Sequence, residues 1–62
     1  MPGVSKLRAA RMKALFKQNQ AAALIGITQA YLCMMENEVV IPTDEMFRKM
    51  ARVYKCHVSD LK

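Results

Sequence analysis

A single glycine between two helix-forming segments limits the folds open to this chain. Gly26 follows the Ala-rich stretch "KQNQAAALI", and glycine readily adopts the left-handed conformation that ends a helix. Thr28 is suited to cap the next helix, and Ile27 with Leu32 match the apolar pair that fixes a helix's entry angle. The segment therefore predicts two short helices joined by a tight turn, the second at about residues 29–36.

Apolar periodicity predicts further helices on both sides of this pair. The residues with the spacing of one helix face near the start of the chain are Leu7, Ala10, Arg11, Ala14 and Leu15. A first helix is therefore expected from Ser5, its N-cap, to about Phe16. After the apolar stretch 39–42, Thr43 is placed to cap a fourth helix. Its apolar stripe is Met46, Phe47, Met50, Ala51 and Tyr54, and the residues that follow allow one or two closing turns.

Length and composition indicate one small domain. The chain has 62 residues, 53% of them hydrophobic, and its six methionines outnumber its aromatic residues. Such a composition fits a helical core and excludes a disordered chain. We expect a single domain over residues 1–62 with a short N-terminal arm at residues 1–5, and therefore no room for a ligand-sensing module.

Charge and cysteine content restrict the partners and the compartment. A formal charge of +5 and a pI near 9.6 favour an anionic partner, nucleic acid ahead of a membrane surface. Two cysteines are fewer than small secreted scaffolds use, which favours a reducing environment. No apolar run has the length of a signal peptide or a bilayer span, so we expect a cytoplasmic protein without membrane association.

One arginine and one glutamate stand on faces that should be apolar. Arg11 lies between Ala10 and Ala14 on the first helix, and Glu36 is adjacent to Met35 near the end of the third. A buried guanidinium requires a partner, which favours an ion pair between the two. Alternatively, Arg11 extends its stem over the core and keeps its charged end in water. Spacing alone leaves both interpretations open.

Several short motifs then occur together along the chain. They are "LRAAR" at residues 7–11, Gln18, Ala22 four residues before Gly26, Ile27, Thr28, Leu32, "EN" at residues 36–37, and "IPTDEMFRKMARVYKCHVSDL". With this joint spacing, the chain from about Lys6 to Leu61 resembles the Cro/C1-type (Xre-like) helix-turn-helix phage repressor family. The resemblance implies a compact, all-α, five-helix, lambda-repressor-like DNA-binding domain whose helices 2 and 3 form the helix-turn-helix. It also implies a buried ion pair at Arg11 and Glu36.

The third helix is expected to read DNA bases in the major groove. Its outward residues are predicted to be Gln29, Ala30, Cys33 and Met34. Glutamine can make a bidentate contact to adenine, and small or apolar side chains can touch a thymine methyl group. In the alternative interpretation Gln29 is an ordinary solvated residue and Met34 belongs partly to the core.

A second set of residues is expected to contact DNA phosphates. It consists of Lys17, Gln18, Thr28, Tyr31 and Asn37. Gln18 opens the second helix, where its amide and the free backbone N–H groups can hold a phosphate, and Lys17 is close enough to assist. Tyr31 could instead only cover the second helix. The remaining basic residues, including those of the fourth helix, are interpreted as solvated.

Metal and catalytic chemistry are not expected. Cys33, Cys56 and His57 lack the spacing of a zinc site and a fourth ligand. The chain has no Ser, His and acid set, no Gly-rich phosphate loop and only one histidine. We therefore expect a protein that is not an enzyme, with no metal, no cofactor and no small-molecule substrate.

These features favour a Cro-like repressor that occupies a double-stranded DNA operator as a homodimer, at least when bound. Val39 to Ile41 and the final turn around Val58 and Leu61 are candidate dimer surfaces. Two alternatives remain: a helix-turn-helix used for protein interaction, and the DNA-binding component of a toxin–antitoxin pair. The former is motivated by the apolar loop "EVVI", where many family members carry Lys or Arg, and by the lack of basic residues on the third helix.

Overall fold

A computed structural model describes residues 5–62, so residues 1–4 of the expected N-terminal arm lie outside the described residues. Within residues 5–62 the chain forms four α-helices, one 3-10 turn and no strand. The elements are α1 (Lys6–Lys13), α2 (Gln18–Ile25), α3 (Gln29–Glu36), α4 (Asp44–Tyr54) and a 3-10 turn at Val58–Asp60. The all-α class is confirmed. No helix in this part of the chain is both long and apolar enough to span a membrane.

The expected fifth helix is replaced by the 3-10 turn. Its backbone bonds join residues three apart, with Asp60 N–H donating to His57 O and Leu61 N–H to Val58 O, both at 2.9 Å. The Asp60 carboxylate also accepts from the backbone N–H of His57 at 3.2 Å. This tight turn buries Leu61, which is 3% exposed, against the core. Leu61 is therefore a core residue and not a free dimer surface, and Val58 is half-buried.

The first helix is shorter than its apolar pattern predicts. It ends at Lys13, and Leu15 has a left-handed φ of 66° and is 89% exposed. Because the chain reverses there, the ring of Phe16 packs at a tilt near the ring of Tyr54, with centroids 6.3 Å apart. Packing of Phe16 thus ends α1 three residues early and removes Leu15 from the apolar face.

The turn between α2 and α3 follows from its local sequence. Gly26 has a left-handed φ of 92°, and its N–H donates to Ala22 O at 2.9 Å. The Thr28 hydroxyl accepts from the backbone N–H of Tyr31 at 3.1 Å, which caps α3. Leu32 is fully buried. Two short helices are thereby held at a defined angle on one core.

That core lies between α4 and the helix pair. Leu32, Met35 and Met50 are its largest fully buried side chains. Ala21 and Ala22 are also buried, and their small size lets α2 approach its neighbours closely. The outward face of α3 is therefore supported from behind by packed side chains.

Tyr54 carries a buried hydroxyl with no hydrogen-bond partner among residues 5–62. We expect Tyr54→Phe to be at least as stable as the wild type at pH 7, because an unpaired buried hydroxyl costs about 1–3 kcal/mol. Burial, and next the charge of Glu36, raise the pKa of Tyr54 from 10.0 to about 12. The Tyr54 hydroxyl therefore loses its proton at a higher pH in the folded protein than in the unfolded chain.

Stability of the wild type should therefore fall as the pH rises from about 10 towards about 12, where the unfolded chain binds fewer protons. Tyr54→Phe has no hydroxyl to ionise at this position, so this part of the fall in stability should be absent. Urea unfolding of both proteins at pH 8 and pH 11 would measure the difference. Tyr31→Phe is the control, since Tyr31 is only half-buried. A Tyr54→Phe variant that unfolds more easily at pH 8 would contradict the expectation.

Candidate nucleic-acid interface

A buried ion pair joins α1 to the end of α3. Arg11 Nε donates to Glu36 Oε2 at 2.7 Å, and Nη2 donates to Oε1 at 3.3 Å. Arg11 is 8% exposed and Glu36 is 4% exposed. The remaining guanidinium nitrogen, Nη1, donates to the backbone oxygen of Phe16 at 2.9 Å. Two-point contact of this kind fixes the angle between the helices as well as their distance.

Gln18 extends this pair towards the surface. Its amide nitrogen donates to Glu36 Oε1 at 3.1 Å. An ionised carboxylate can only accept hydrogen bonds, so Gln18 must present nitrogen to Glu36 and oxygen to the other side. That oxygen accepts from the Gln29 amide nitrogen at 3.4 Å. A continuous chain of hydrogen bonds therefore runs from Arg11 in the core to Gln29 on the surface.

This arrangement leaves part of the Gln29 amide free. Its oxygen and its second N–H have no partner among the described residues, and the side chain is exposed. One acceptor beside one donor is the pattern that complements the adenine N6 and N7 positions. The contact with Gln18 restricts the rotation of this amide and so the directions in which its free oxygen and N–H can point.

The other residues expected to contact bases share the outer side of α3 with Gln29. Ala30 is exposed and Met34 is 40% exposed. Cys33 is half-buried, and its sulfur accepts from the Asn37 amide at 3.3 Å. No three metal-binding side chains come together anywhere in residues 5–62. The outer side of α3 thus presents one amide among small and apolar groups.

The residues expected to contact phosphates lie at helix ends around this surface. Lys17 is the N-cap of α2, and its backbone N–H donates to Gln20 Oε1 at 2.9 Å. A lysine ammonium cannot cap a helix, so this side chain stays available and is exposed. Thr28 and Asn37 stand exposed at the two ends of α3, whereas Tyr31 is half-buried against the core.

Charge is distributed unevenly over the molecule. The helix-turn-helix from Gln18 to Met35 contains no Asp, Glu, Lys, Arg or His. The exposed lysines and arginines are Lys6, Arg8 and Lys13 on α1; Lys17 at the start of α2; Arg48, Lys49 and Arg52 on α4; and Lys55 and Lys62 after α4. Along the chain, the basic residue closest to Gln29 is Lys17. The exposed face of α3 therefore presents neutral groups.

Sequence reasoning placed Gln18 and Gln29 in different sets and missed the bonds that join them. Both stand at the first position of their helices, eleven residues apart across the Gly26 turn. This shared position could have indicated a contact between the two side chains. The contact also depends on the angle between α2 and α3, which brings the two first turns together and which the sequence does not give.

Two short helices joined at a glycine, with the second presented outward on a rigid base, define a helix-turn-helix domain. A helix-turn-helix family model matches residues 7–61. The chain therefore belongs to the Cro/C1-type helix-turn-helix family, a family of DNA-binding regulators. No curated protein and no solved structure matches the chain.

Proposed function

We propose that this protein is a sequence-specific regulator of the Cro type, which binds a double-stranded DNA operator with α3 in the major groove and represses by occupying it. The observation that carries the proposal is the hydrogen-bond chain from Arg11 through Glu36 and Gln18 to Gln29. It connects the core to the amide best suited to read a base. A surface glutamine that contacts only water would not be connected to the core by such a chain of hydrogen bonds.

Direct readout is expected to favour A·T pairs. Gln29 offers the donor and acceptor that match adenine, while Ala30 and Met34 are suited to thymine methyl groups. Arginine and lysine, the usual readers of guanine, are absent from α3. Selection from a random DNA pool tests this: an A·T-rich core supports the proposal, and a G·C-rich core contradicts it.

Phosphate contacts in the proposal come from the first turn of α2 and its neighbours. The free backbone N–H groups of that turn and the Lys17 ammonium can hold phosphate oxygens, and Lys17 is the basic residue closest to Gln29 along the chain. Thr28, Tyr31 and Asn37 add neutral donors at the edges of α3. Gln18 contributes mainly through its backbone and its second amide N–H, because its other amide groups bind Glu36 and Gln29.

Lys17→Ala should weaken binding to all DNA sequences alike. Removing one phosphate contact lowers the slope of log affinity against log salt by about one unit. Fluorescence anisotropy with operator and mixed-sequence duplexes over a range of salt concentrations would measure both effects. Arg48→Ala is the matched control, because it removes the same charge from the exposed side of α4. Equal effects of the two variants on DNA affinity would show that binding depends on the net charge of the protein and not on a phosphate contact at Lys17.

A second candidate function is protein interaction through the helix-turn-helix. It is favoured by the uncharged α3 and by the exposed apolar loop, where Val39 is 72% and Ile41 is 83% exposed. The same salt series separates the two candidates. A slope near zero, or no DNA binding at low salt, would favour protein interaction.

The proposed repressor binds as two copies of one domain. Val40 and Ile41 line a groove of about 440 Å³ whose other apolar lining residues include Leu7, Met35 and Phe47. Glu38 and Lys62 lie on the rim of this groove and carry opposite charges. In a two-fold contact each can meet its complement on the other copy, as an isologous interface requires. Such a dimer fits a palindromic operator with half-sites about one helical turn apart.

Ile41→Lys should therefore prevent dimerisation without unfolding the protein. The side chain is 83% exposed, so the free energy of unfolding should change by no more than about 0.5 kcal/mol. Sedimentation at micromolar concentration would report the oligomeric state, with and without a palindromic duplex. Met12→Lys, at a 52% exposed position on α1, is the control. A footprint of one protomer without symmetry for the wild type would contradict the proposed assembly.

A further inference from the structure

A second groove, of about 800 Å³, lies between α1 and the chain that leaves α4. Its lining includes Lys6 and Lys13 on one side and Lys55 and His57 on the other. No residue of α2 or α3 contributes to it. The groove is therefore a separate surface from the candidate DNA interface, and of its lining residues Lys6 alone also lines the groove of the proposed dimer.

The α1 side of the groove alternates charge with small apolar groups. Lys6, Ala9, Ala10 and Lys13 follow the i, i+3, i+4, i+7 spacing of one helix face. The two lysines stand about 10 Å apart along the axis, two helical turns. Between them the alanines leave a low apolar surface on which another chain can lie closely.

The side of the groove formed by residues 55–57 also combines charged and apolar groups. Lys55 and His57 are exposed, while Cys56 between them is half-buried. Burial, and next the carboxylate of Asp60, raise the pKa of the Cys56 thiol, so it remains neutral and behaves as an apolar group. Asp60 is the one acid of the lining, and its carboxylate already accepts from His57 N–H.

The lysines of this groove have no acidic partner within residues 5–62, where the ion pairs are Arg11–Glu36 and Lys62–Asp44. We propose that the groove binds an acidic, amphipathic helix of another protein, with its carboxylates at Lys6, Lys13 and Lys55 and its small apolar face on Ala9 and Ala10. Carboxylates two turns apart on such a helix match the separation of the α1 lysines.

Shape favours a peptide over a second DNA segment. A duplex is a wide, convex cylinder whose phosphates lie on its outside, so it contacts protruding cations and leaves the floor of a groove empty. The exposed basic residues of α4, Arg48, Lys49 and Arg52, lie outside this groove. An amphipathic helix uses both the lysines and the alanine floor, as helices do in other apolar grooves.

The test uses the full ¹⁵N-labelled chain and a synthetic helical peptide of Glu, Ala and Leu, titrated by amide chemical shift. The control peptide has Gln in place of Glu. The expected shifts are confined to the groove, at Lys6, Ala9, Ala10, Lys13 and residues 55–59. Equal binding of the Gln peptide, no binding of the Glu peptide, or shifts centred on α4 or α3 would overturn the proposal.

Charge reversal supplies the second arm. Lys6→Glu with Lys13→Glu should weaken binding of the Glu peptide about tenfold, since two exposed ion pairs are lost and each is replaced by a repulsion. Arg48→Glu with Arg52→Glu changes the net charge equally outside the groove and should have little effect. Lys13→Gln, a milder change, serves if the double variant unfolds. A mixed-sequence duplex that shifts the same groove amides and displaces the peptide would identify the groove as a nucleic-acid site and refute a protein partner.

Discussion

Glu36→Gln is expected to lower the free energy of unfolding by about 3–5 kcal/mol, because it leaves the Arg11 guanidinium buried without its counter-charge. In a domain of this size each kcal/mol corresponds to a change in melting temperature of roughly 4–8 °C. Arg11→Met combined with Glu36→Leu should recover much of the loss, since neither buried charge then remains. Thermal unfolding followed by circular dichroism would measure all the variants.

The exposed ion pair of the same protein is the matched control. Lys62 and Asp44 meet at 3.1 Å, but their side chains are 52% and 77% exposed. Asp44→Asn should therefore cost at most about 1 kcal/mol. Strictly additive losses from Arg11→Met and Glu36→Leu would show that the two charges do not depend on each other, and the buried ion pair would not explain how α1 is held to α3.

The same double variant separates stability from recognition. Leu at position 36 offers no acceptor, so the Gln18 amide loses the bond that orients it. A refolded, stable Arg11→Met, Glu36→Leu protein should therefore discriminate less between DNA sequences than the wild type. Unchanged discrimination would mean that the hydrogen-bond chain does not position the reading amide.

Gln29→Ala is expected to cost about 1–3 kcal/mol on the preferred operator and to relax preference at one base pair. Binding to mixed-sequence DNA should change little, because the variant removes no charge. Gln18→Ala should relax the same base pair, since Gln18 Oε1 accepts from Gln29 Nε2. A double-mutant cycle on operators with each of the four base pairs at that position would measure the coupling.

The cycle has a clear opposite outcome. If Gln29→Ala leaves the selected DNA sequence unchanged, the exposed side of α3 is not the reading surface. If both single variants act but at different base pairs, the two glutamines work independently, and their 3.4 Å contact has no role in recognition.

Local sequence was sufficient to predict the helix-turn-helix. Gly26 and Thr28 act on their own neighbours within a few residues, through a left-handed backbone and a capping hydroxyl. The bounds of α3, Gln29–Glu36, therefore agree with the prediction. Thr43 likewise caps α4, with its hydroxyl accepting from Met46 N–H at 3.2 Å. Each of these signals involves residues no more than four apart.

Features set by distant contacts needed the tertiary structure. The apolar spacing of α1 continues to Leu15, yet packing of Phe16 near Tyr54 ends the helix at Lys13. Spacing could not decide whether Arg11 is paired or solvated, because its partner Glu36 is 25 residues away and their separation depends on the angle between α1 and α3. The contact of Gln18 with Gln29 could not be predicted for a similar reason, because it depends on the angle between α2 and α3. Sequence by itself determined where the four α-helices form and which side chains of α3 are proposed to recognise DNA. Packing of α1, α2 and α3 around one buried ion pair decided which side chains contact one another, because hydrogen bonds depend on distances that no linear spacing contains.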